Sequence, residues 1–459
     1  MRKTGIAVLF CLVAVLYPAL ICSALSKVKI RGYITAKPDA QTLKILDDVI
    51  HLSSSTSYEL HNSGAAVSKP LSLADLTPGV LIEAEGRWGD KHQFDAEKIT
   101  CDAEQFDKEI KEYAYLQTEP EDAKTIAAGQ LAHLKADGEL LVIDDKTKRD
   151  WKSGESNGAQ SAEVPQFKLV GRQLRYEGVR LTDGHIEAEK IELGPAPPAD
   201  AYKIPGNLII ARSVDPQTKI DVLEIRKGKN IQGRMKLFSV KEVQEYVTHL
   251  GTKLLPPSAD VTTRALEFRF FVVEDPSINA AALPDGTIFV NTGLLGAMDN
   301  ESQLAFVLSH EIAHVLQAHH WREANETRSK RVLLIIAAVA AQGFIGDLGG
   351  FLVQLGLEAL VNGYSRRIEN QADRLGMQNI VDHGYDPRGA VTFFRTMIDH
   401  YGGRSTSAIW SNHDSSLLRG SFLTTQMERQ YPQGHFDHAI VDTEEFKAMK
   451  EAMGPVKIM

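Results

Sequence analysis

The sequence contains little cysteine, which limits how the protein can be stabilised. Two of its three cysteines, Cys11 and Cys22, lie in an N-terminal segment that we expect to be removed. Cys101 alone cannot form an intramolecular disulfide, so the stability of the mature protein must come from buried apolar cores. Because no paired cysteine or histidine stands near it in the sequence, Cys101 is predicted to be a packed thiol rather than a nucleophile.

Positive charge is also scarce. The chain has 51 Lys and Arg residues against 60 Asp and Glu, a formal net charge of −9. This balance argues against a nucleic-acid partner, because nucleic-acid binding needs a basic face. Hydrophobic residues make up 43% and charged residues 24%, which excludes a disordered or fibrous chain. At roughly 100–200 residues per domain, the length of 459 residues predicts two to four domains.

The first 24 residues follow the order of a secretory signal peptide. Two basic residues precede an apolar stretch at residues 6–16, and the small side chains of Cys22 and Ala24 favour cleavage after Ala24. We therefore expect an exported protein, periplasmic or attached to a membrane and facing away from the cytoplasm. A retained anchor is the alternative, although the apolar stretch is short for a membrane span.

An internal repeat follows this segment. The phrases FDAEKI and IEAEKI close two similar stretches at Ile99 and Ile191, and short alternating runs within each stretch predict half-buried strands. We predict two small all-β modules, at residues 25–105 and 120–194, each a five- or six-stranded barrel of OB-like kind. Because they lack interleaved basic and aromatic residues, we expect structural or protein-binding modules.

A Pro- and Ala-rich linker at residues 195–205 predicts a domain boundary. Beyond it the pattern changes to longer segments of helical period, and we predict a mainly α (α+β) domain at residues 206–440 with a tail at 441–459. Residues 239–255 read as an amphipathic helix capped by Ser239, whereas residues 266–274 and 287–291 are predicted strands.

The sequence His310-Glu311-Ile312-Ala313-His314 carries the strongest chemical signal. Asn300 and Gln303 resemble a capping box, and an apolar stripe through the segment predicts a helix. His310 and His314 are then one turn apart on one face, where both imidazoles can bind one Zn²⁺. Glu311 can act as general base toward the water nucleophile. The competing interpretation leaves both histidines on a solvated helix face.

A zinc peptidase needs a third protein ligand. The residues directly after the motif do not continue as a longer zinc signature, since Gln317 and His320 occupy the relevant places. Glu369, in a second predicted helix, is the best candidate ligand, and Asp373 one turn later could hold a histidine ring. A charged surface helix is the alternative.

The second half of the chain resembles the zinc metallopeptidase family of HtpX, BepA and the CAAX prenyl endopeptidases. The resemblance rests on residues 278–295, on the HEIAH helix and on residues 365–373, in the family's order and spacing. It implies a zincin-like fold with a small edge-strand sheet, one zinc ion per chain, His310, His314 and Glu369 as ligands, and Glu311 as catalytic base.

Two further phrases gain meaning from this resemblance. Asn279, Ala280, Pro284 and Gly286 match the family phrase that leads into an edge strand beside the active site, where an extended substrate backbone could pair; Asp285 replaces a common glycine. His413 and Arg419 match a late phrase, although Asp414 stands where a proline is expected. The resemblance suggests that His413 stabilises the oxyanion or occupies the fourth zinc position as a latch.

Three weaker signals complete the sequence-based picture. The apolar stretch at residues 332–360 is broken by glycines, and we expect a buried core or lid, with contact to a membrane surface as the alternative. His319 and His320 are predicted to be surface groups. Gly384 is predicted to end the helix that carries Glu369.

Two functional hypotheses follow. The first is a zinc endopeptidase that cleaves extended or misfolded polypeptides outside the cytoplasm, as in protein quality control. The alternative is a chaperone-like or scaffold protein whose zinc site is latched or inactive and whose N-terminal β-modules bind partners. Retention of Glu311 favours the enzyme, because an inactive site has no evident use for a base.

Overall fold

The computed structural model describes the chain in segments. These are residues 27–61, 71–106, 109–116, 132–151, 171–181, 184–204, 207–256, 266–326, 364–401, 415–432, 434 and 436–458. The predicted signal segment at residues 1–24, the apolar stretch at 332–360, and His413 lie outside the described residues. The chain divides into two compact units, residues 1–107 and 108–459. No helix in the described segments is long and apolar enough to cross a membrane.

The first unit contains a six-stranded sheet with the order β1-β5-β6-β4-β3-β2. Its strands are β1 (Val28–Tyr33), β2 (Ala36–Asp39), β3 (Thr42–Ile45), β4 (Asp48–His61), β5 (Leu81–Trp88) and β6 (Gln93–Asp102). The long strands β4 and β6 run parallel, and the other pairs are antiparallel. Cys101 on β6 is 1% exposed, and burial raises the pKa of its thiol to about 12, so the prediction of a packed thiol is confirmed.

The second unit begins with a related sheet of order β7-β11-β12-β9-β8, to which β10 adds beside β12. Its strands are β7 (Glu109–Tyr115), β8 (Ala132–Ala136), β9 (Glu139–Ile143), β10 (Lys148–Trp151), β11 (Gln173–Arg180) and β12 (Ile186–Leu193). We call these strands the second β-module. Their buried residues form a core of their own, which includes Leu141, Leu174, Tyr176 and Ile191.

The internal repeat is visible in three dimensions. The two repeated phrases form β6 and β12, and each pairs with a strand that carries a bulge at a glycine, Gly86 or Gly178. A Cβ at Gly86 would lie 2.0 Å from a backbone oxygen of the neighbouring strand, and one at Gly178 would lie 2.2 Å away. Only glycine allows so close a backbone approach, which explains why both repeats have glycine at this position.

Two small sheets follow the second β-module. The first is an antiparallel meander of β13 (Leu208–Val214), β14 (Asp221–Lys227) and β15 (Asn230–Lys236). The second has the order β16-β18-β17, with β16 (Arg269–Val273) parallel and β17 (Ala280–Ala282) antiparallel to β18 (Thr287–Asn291). The strand at 287–291 is confirmed and the one at 266–274 is shorter. The expectation that helical segments follow the linker directly is wrong, because the meander comes first.

The remaining elements are helices. They are α1 (Lys241–Lys253), α2 (Thr292–Ala297), α3 (Glu301–Leu316), α4 (His319–Glu326), α5 (Arg366–Asp382), α6 (Arg388–Tyr401), α7 (Ser416–Gln430) and α8 (Glu444–Met453). Asn300 caps α3 by accepting a hydrogen bond from the Gln303 backbone N–H, as predicted. The predicted Ser239 cap of α1 is wrong, since Val240 occupies the cap position without a side-chain bond. Gly384 follows the end of α5 with φ +80°, so the predicted helix stop is confirmed.

Helix α3 is the centre of the domain, because every residue from Glu301 to Leu316 is buried. Helix α5 crosses it closely: a Cβ at Gly376 would lie 3.1 Å from the backbone nitrogen of His310.

The chain after residue 440 also packs against this domain, at the start of α3 and the end of α2. Thr443 donates a hydrogen bond to Glu301 at the start of α3, and Lys450 donates to three backbone oxygens at the end of α2.

Candidate metal centre

Three buried side chains from α3 and α5 converge at the helix crossing. His310 and His314, one turn apart on α3, have their Nε2 atoms 3.0 Å apart. Glu369, in the first turn of α5, places its carboxylate oxygens 3.7 Å from each Nε2. The exposed fractions of these three residues are 0%, 3% and 0%. One potential ligand atom from each lies within 4.8 Å of the others, so the sequence-predicted set is brought together.

This donor set fits a zinc ion. Two imidazoles and a carboxylate are common ligands of a catalytic zinc site, which keeps its fourth position for water or substrate. Ligand atoms around a tetrahedral zinc with bonds of about 2.0–2.1 Å are about 3.3 Å apart. The observed separations of 3.0 and 3.7 Å bracket this value.

His310 is oriented by Asp373, which lies one helical turn after Glu369. Its Nδ1 is 3.0 Å from Asp373 Oδ1. A carboxylate only accepts hydrogen bonds, so Nδ1 carries the proton and Nε2 keeps its lone pair for a metal. The structure therefore brings Asp373 to the place that the sequence suggested for it.

Arg419, on α7, neutralises the carboxylates around this ring. Its guanidinium contacts both oxygens of Asp373, at 3.0 and 2.6 Å, and lies 3.4 Å from Glu369. Its Nη2 is 3.2 and 3.3 Å from the two ring nitrogens of His310. A donor aimed at one in-plane lone pair would be much farther from the other nitrogen, so the guanidinium lies against the ring face.

His314 is held by two residues to which the sequence analysis gave no role at the site, Tyr364 and His319. The ring of Tyr364 stacks on it with centroids 4.4 Å apart. Nδ1 of His314 is 2.9 Å from Nδ1 of His319, and His319 is 0% exposed. The prediction that His319 is a surface group is therefore wrong, and His320 is half-buried. Burial, followed by the Arg322 guanidinium, holds the pKa of His319 well below its usual range.

Glu311, between the two histidines on α3, is 2% exposed. Burial, together with the nearby carboxylates of Glu311 and Glu369, holds the pKa of Tyr364 well above its usual range. Tyr364 therefore keeps its hydroxyl proton and packs as a neutral aromatic side chain against His314 on α3. His413, predicted to stabilise the oxyanion or to act as a latch, lies outside the described residues.

The predicted substrate-binding residues border the small mixed sheet. Ala280 lies on β17, which pairs with β18 and lies at the edge of the described sheet. Asn279, Ala280, Pro284 and Gly286 are all buried. Gly286 has φ +86°, a conformation that favours glycine. Asp285 fits the turn by accepting a hydrogen bond from the Thr287 N–H and pairing with Arg269.

The second β-module contacts the helices that carry the predicted ligands. Gln317, directly after α3, pairs with the backbone of β7 by accepting from the Tyr115 N–H and donating to the Tyr115 carbonyl. Gln371, on α5, donates to the Tyr113 carbonyl at 3.1 Å. Both glutamines are buried. The sequence signal that could have identified them is their position beside the apolar residues of each predicted helix.

Comparison with known proteins agrees with this geometry. The family described as peptidase family M48 matches residues 241–429. These residues are an M48 domain. The resemblance inferred from the motifs is therefore confirmed, and the matched segment contains His310, His314 and Glu369. A domain of unknown function, DUF5666, matches residues 31–100 in the first unit.

Several metallopeptidases are similar to part of this chain. The beta-barrel assembly-enhancing protease of Escherichia coli (strain K12) is 29% identical over 179 residues, 37% of this chain and 36% of the relative. The putative beta-barrel assembly-enhancing protease of Vibrio cholerae is 32% identical over 166 residues, 35% and 34% of the two chains. The mitochondrial metalloendopeptidase OMA1 of Schizosaccharomyces pombe is 34% identical over 155 residues, 34% and 45%. The chain thus spans less than half the length of these relatives.

Proposed function

We propose that this protein is a zinc-dependent endopeptidase. The observation that carries the proposal is the buried group of His310, His314 and Glu369, with potential ligand atoms within 4.8 Å of one another. A structural zinc site would offer four protein ligands, whereas the part of the chain that the structure describes offers three, the number that a catalytic zinc site uses. The M48 domain and the metallopeptidase relatives point to the same chemistry.

In this proposal, different residues near the zinc site have different roles in peptide hydrolysis. A zinc ion, when bound, supplies Lewis acidity toward the scissile carbonyl and lowers the pKa of water. Glu311 takes the proton of the attacking water as general base and returns it to the leaving amine. Asp373 and Arg419 keep the His310 ring oriented, and we propose that His413 contributes to oxyanion stabilisation or acts as a latch.

The substrate, in this proposal, is an extended or misfolded polypeptide. Its backbone would pair with β17, next to Asn279, Ala280, Pro284 and Gly286, as an added strand. A folded substrate would not supply the free backbone that such pairing needs.

We place the enzyme outside the cytoplasm, in the periplasm or at a membrane surface, with a role in protein quality control. Residues 1–24 support export by their signal-peptide order. Two relatives bear names that assign them to the assembly of β-barrels. We expect the apolar stretch at residues 332–360 to form a buried core or lid, and contact with a membrane surface is its alternative role.

The test is casein cleavage by the zinc-loaded protein and its Glu311→Gln variant. We expect the variant to keep its zinc and to lose at least about 100-fold in rate, since a general base contributes about 10²–10⁴-fold. Glu189→Gln, at an exposed glutamate of β12, is the control and should retain activity. Equal cleavage by the Glu311 variant would contradict the proposed base.

A scaffold with a latched zinc site is the second candidate, and the burial of all three ligands favours it. In that case the unmodified protein would bind zinc without cleaving casein.

We also propose that the β-modules are OB-like barrels that bind protein partners. Deletion of residues 27–107 with unchanged partner binding and substrate choice would refute that role for the first module.

A further inference from the structure

A continuous chain of buried polar side chains leads away from His314. Nδ1 of His314 lies 2.9 Å from Nδ1 of His319, and Nε2 of His319 lies 2.9 Å from Oε1 of Gln371. Gln371 in turn contacts Arg322 and the backbone of Tyr113. The four side chains from His314 to Arg322 are at most 3% exposed, so water does not compete for these bonds.

The orientation of the Gln371 amide is fixed by its two outer partners. A guanidinium only donates hydrogen bonds, so the atom 2.5 Å from Nη1 of Arg322 must be the amide oxygen. A backbone carbonyl only accepts, so the atom 3.1 Å from the Tyr113 oxygen must be the amide nitrogen. His319 therefore faces an oxygen, and its Nε2 must carry a proton.

This orientation sets the tautomers along the chain. A neutral His319 with its proton on Nε2 has a lone pair on Nδ1, which can only accept. The neighbouring Nδ1 of His314 must then be the donor. With its proton on Nδ1, His314 keeps the lone pair of Nε2, the atom that lies 3.0 Å from Nε2 of His310.

The second β-module anchors the outer end of this chain. Arg322 donates through Nε to the Tyr113 hydroxyl at 3.0 Å, and its guanidinium stacks 4.1 Å from the centre of the Tyr113 ring. Arg367, on α5, lies 5.2 Å from the same ring. Tyr113 on β7 thus accepts from Gln371 through its backbone carbonyl and contacts Arg322, the other outer partner of Gln371, through its ring and hydroxyl.

We propose that His319 is a positioning residue that fixes the metal-binding tautomer of His314, and that Gln371, held by β7, fixes His319. The proposal rests on the zinc site described above and adds a role for the second β-module. Removing such an outer hydrogen-bond partner typically lowers metal affinity about 10–100-fold.

The experiment measures zinc affinity of the full-length protein by competition with a chelator, and the absorption spectrum of the Co²⁺-loaded protein. His319→Phe retains an aromatic ring but removes both nitrogens. His319→Asn places a carbonyl acceptor near the former Nδ1. Gln371→Leu removes the contact with His319, and the matched control Gln317→Leu removes a contact with β7 that does not touch His319.

We expect His319→Phe and Gln371→Leu to bind zinc about 10–100-fold more weakly and to shift the Co²⁺ spectrum. His319→Asn should recover most of the affinity, and Gln317→Leu should bind like the unmodified protein. Zinc affinities equal to that of the unmodified protein in all four variants would overturn the inference. Losses of zinc affinity that only parallel the decrease in unfolding midpoint of the metal-free variants would also overturn it. An unmodified protein that binds no zinc would instead overturn the zinc site itself, and the inference with it.

Discussion

At the scale of single residues, the site divides into what the motifs name and what only the fold reveals. The spacing of His310 and His314 gave a shared face because a helix repeats every 3.6 residues. Glu369 was the best candidate for the third ligand from its place in a second predicted helix, and the family resemblance then favoured it over a charged surface helix. His319 was misjudged, because it follows the end of the predicted helix and its partner Gln371 lies 52 positions away in the sequence.

Arg419 is the residue on which the charge balance of the site depends in the metal-free protein. We expect Arg419→Met to lower the free energy of unfolding by about 3–5 kcal/mol, because it leaves two buried carboxylates without their cation. The measurement is urea unfolding in the presence of a chelator. Arg388→Met is the control: this side chain also pairs with an aspartate but is 55% exposed, so a loss below about 1 kcal/mol is expected. Equal losses would contradict the account.

At the scale of elements, local patterns located α3 and β18 well. Asn300 marked the start of α3, and Gly384 marked the end of α5. The meander β13–β15 was missed because its strands have weak alternation; Ile209 and Ile231, for example, are 53% and 44% exposed. The position of these three strands is set by packing against the small mixed sheet, because their buried residues share a core with Val273 and Phe289.

The crossing of α3 and α5 depends on Gly376. Gly376→Ala would gain about 1 kcal/mol in helix propensity, but the new Cβ would meet backbone of His310 at 3.1 Å, which cannot move aside easily. Overpacking typically costs about 1–3 kcal/mol. We expect a net loss of stability in urea unfolding and weaker zinc binding, because Glu369 moves relative to His310. Gln378→Ala on the same helix is the control, and an unchanged zinc affinity in Gly376→Ala would refute this view of the crossing.

At the scale of the whole molecule, the sequence indicated two β-modules and a peptidase domain but not how the second module contacts the helices. The linker at residues 195–205 suggested independence, whereas the structure places Asp137 against Arg374 at 2.5 Å and Glu139 against Arg429 at 3.3 Å. Such contacts join residues more than 200 positions apart, so no local pattern reports them.

Glu139 makes this contact sensitive to acid. Burial opposes its ionisation, but the guanidiniums of Arg374, Arg429 and Arg180 outweigh burial and lower its pKa below the usual 4.5. A carboxylate whose pKa is lowered by folding stabilises the fold at pH values above its ordinary pKa. It loses this contribution as the pH falls through the pKa of the folded state. Unmodified protein should therefore be more stable than Glu139→Gln near neutral pH, and the gap should close below about pH 4.5.

Urea unfolding of both proteins between about pH 7 and pH 3 measures this gap. Burial raises the pKa of the neighbouring Asp137, which acts in the opposite sense but is present in both proteins. Glu189→Gln, at an exposed glutamate of β12, is the control and should change stability by less than about 0.5 kcal/mol. A gap that is independent of pH would contradict the assignment.

The central claim is that His310, His314 and Glu369 form one zinc site. The most direct measurement is the zinc content of the purified full-length protein and of Glu369→Ala after dialysis against a weak chelator. We expect about one zinc ion per chain in the unmodified protein, as a single catalytic site holds one ion, and loss of zinc in the variant with its fold intact. Folded, unmodified protein without zinc, or a variant that holds zinc equally well, would contradict the account.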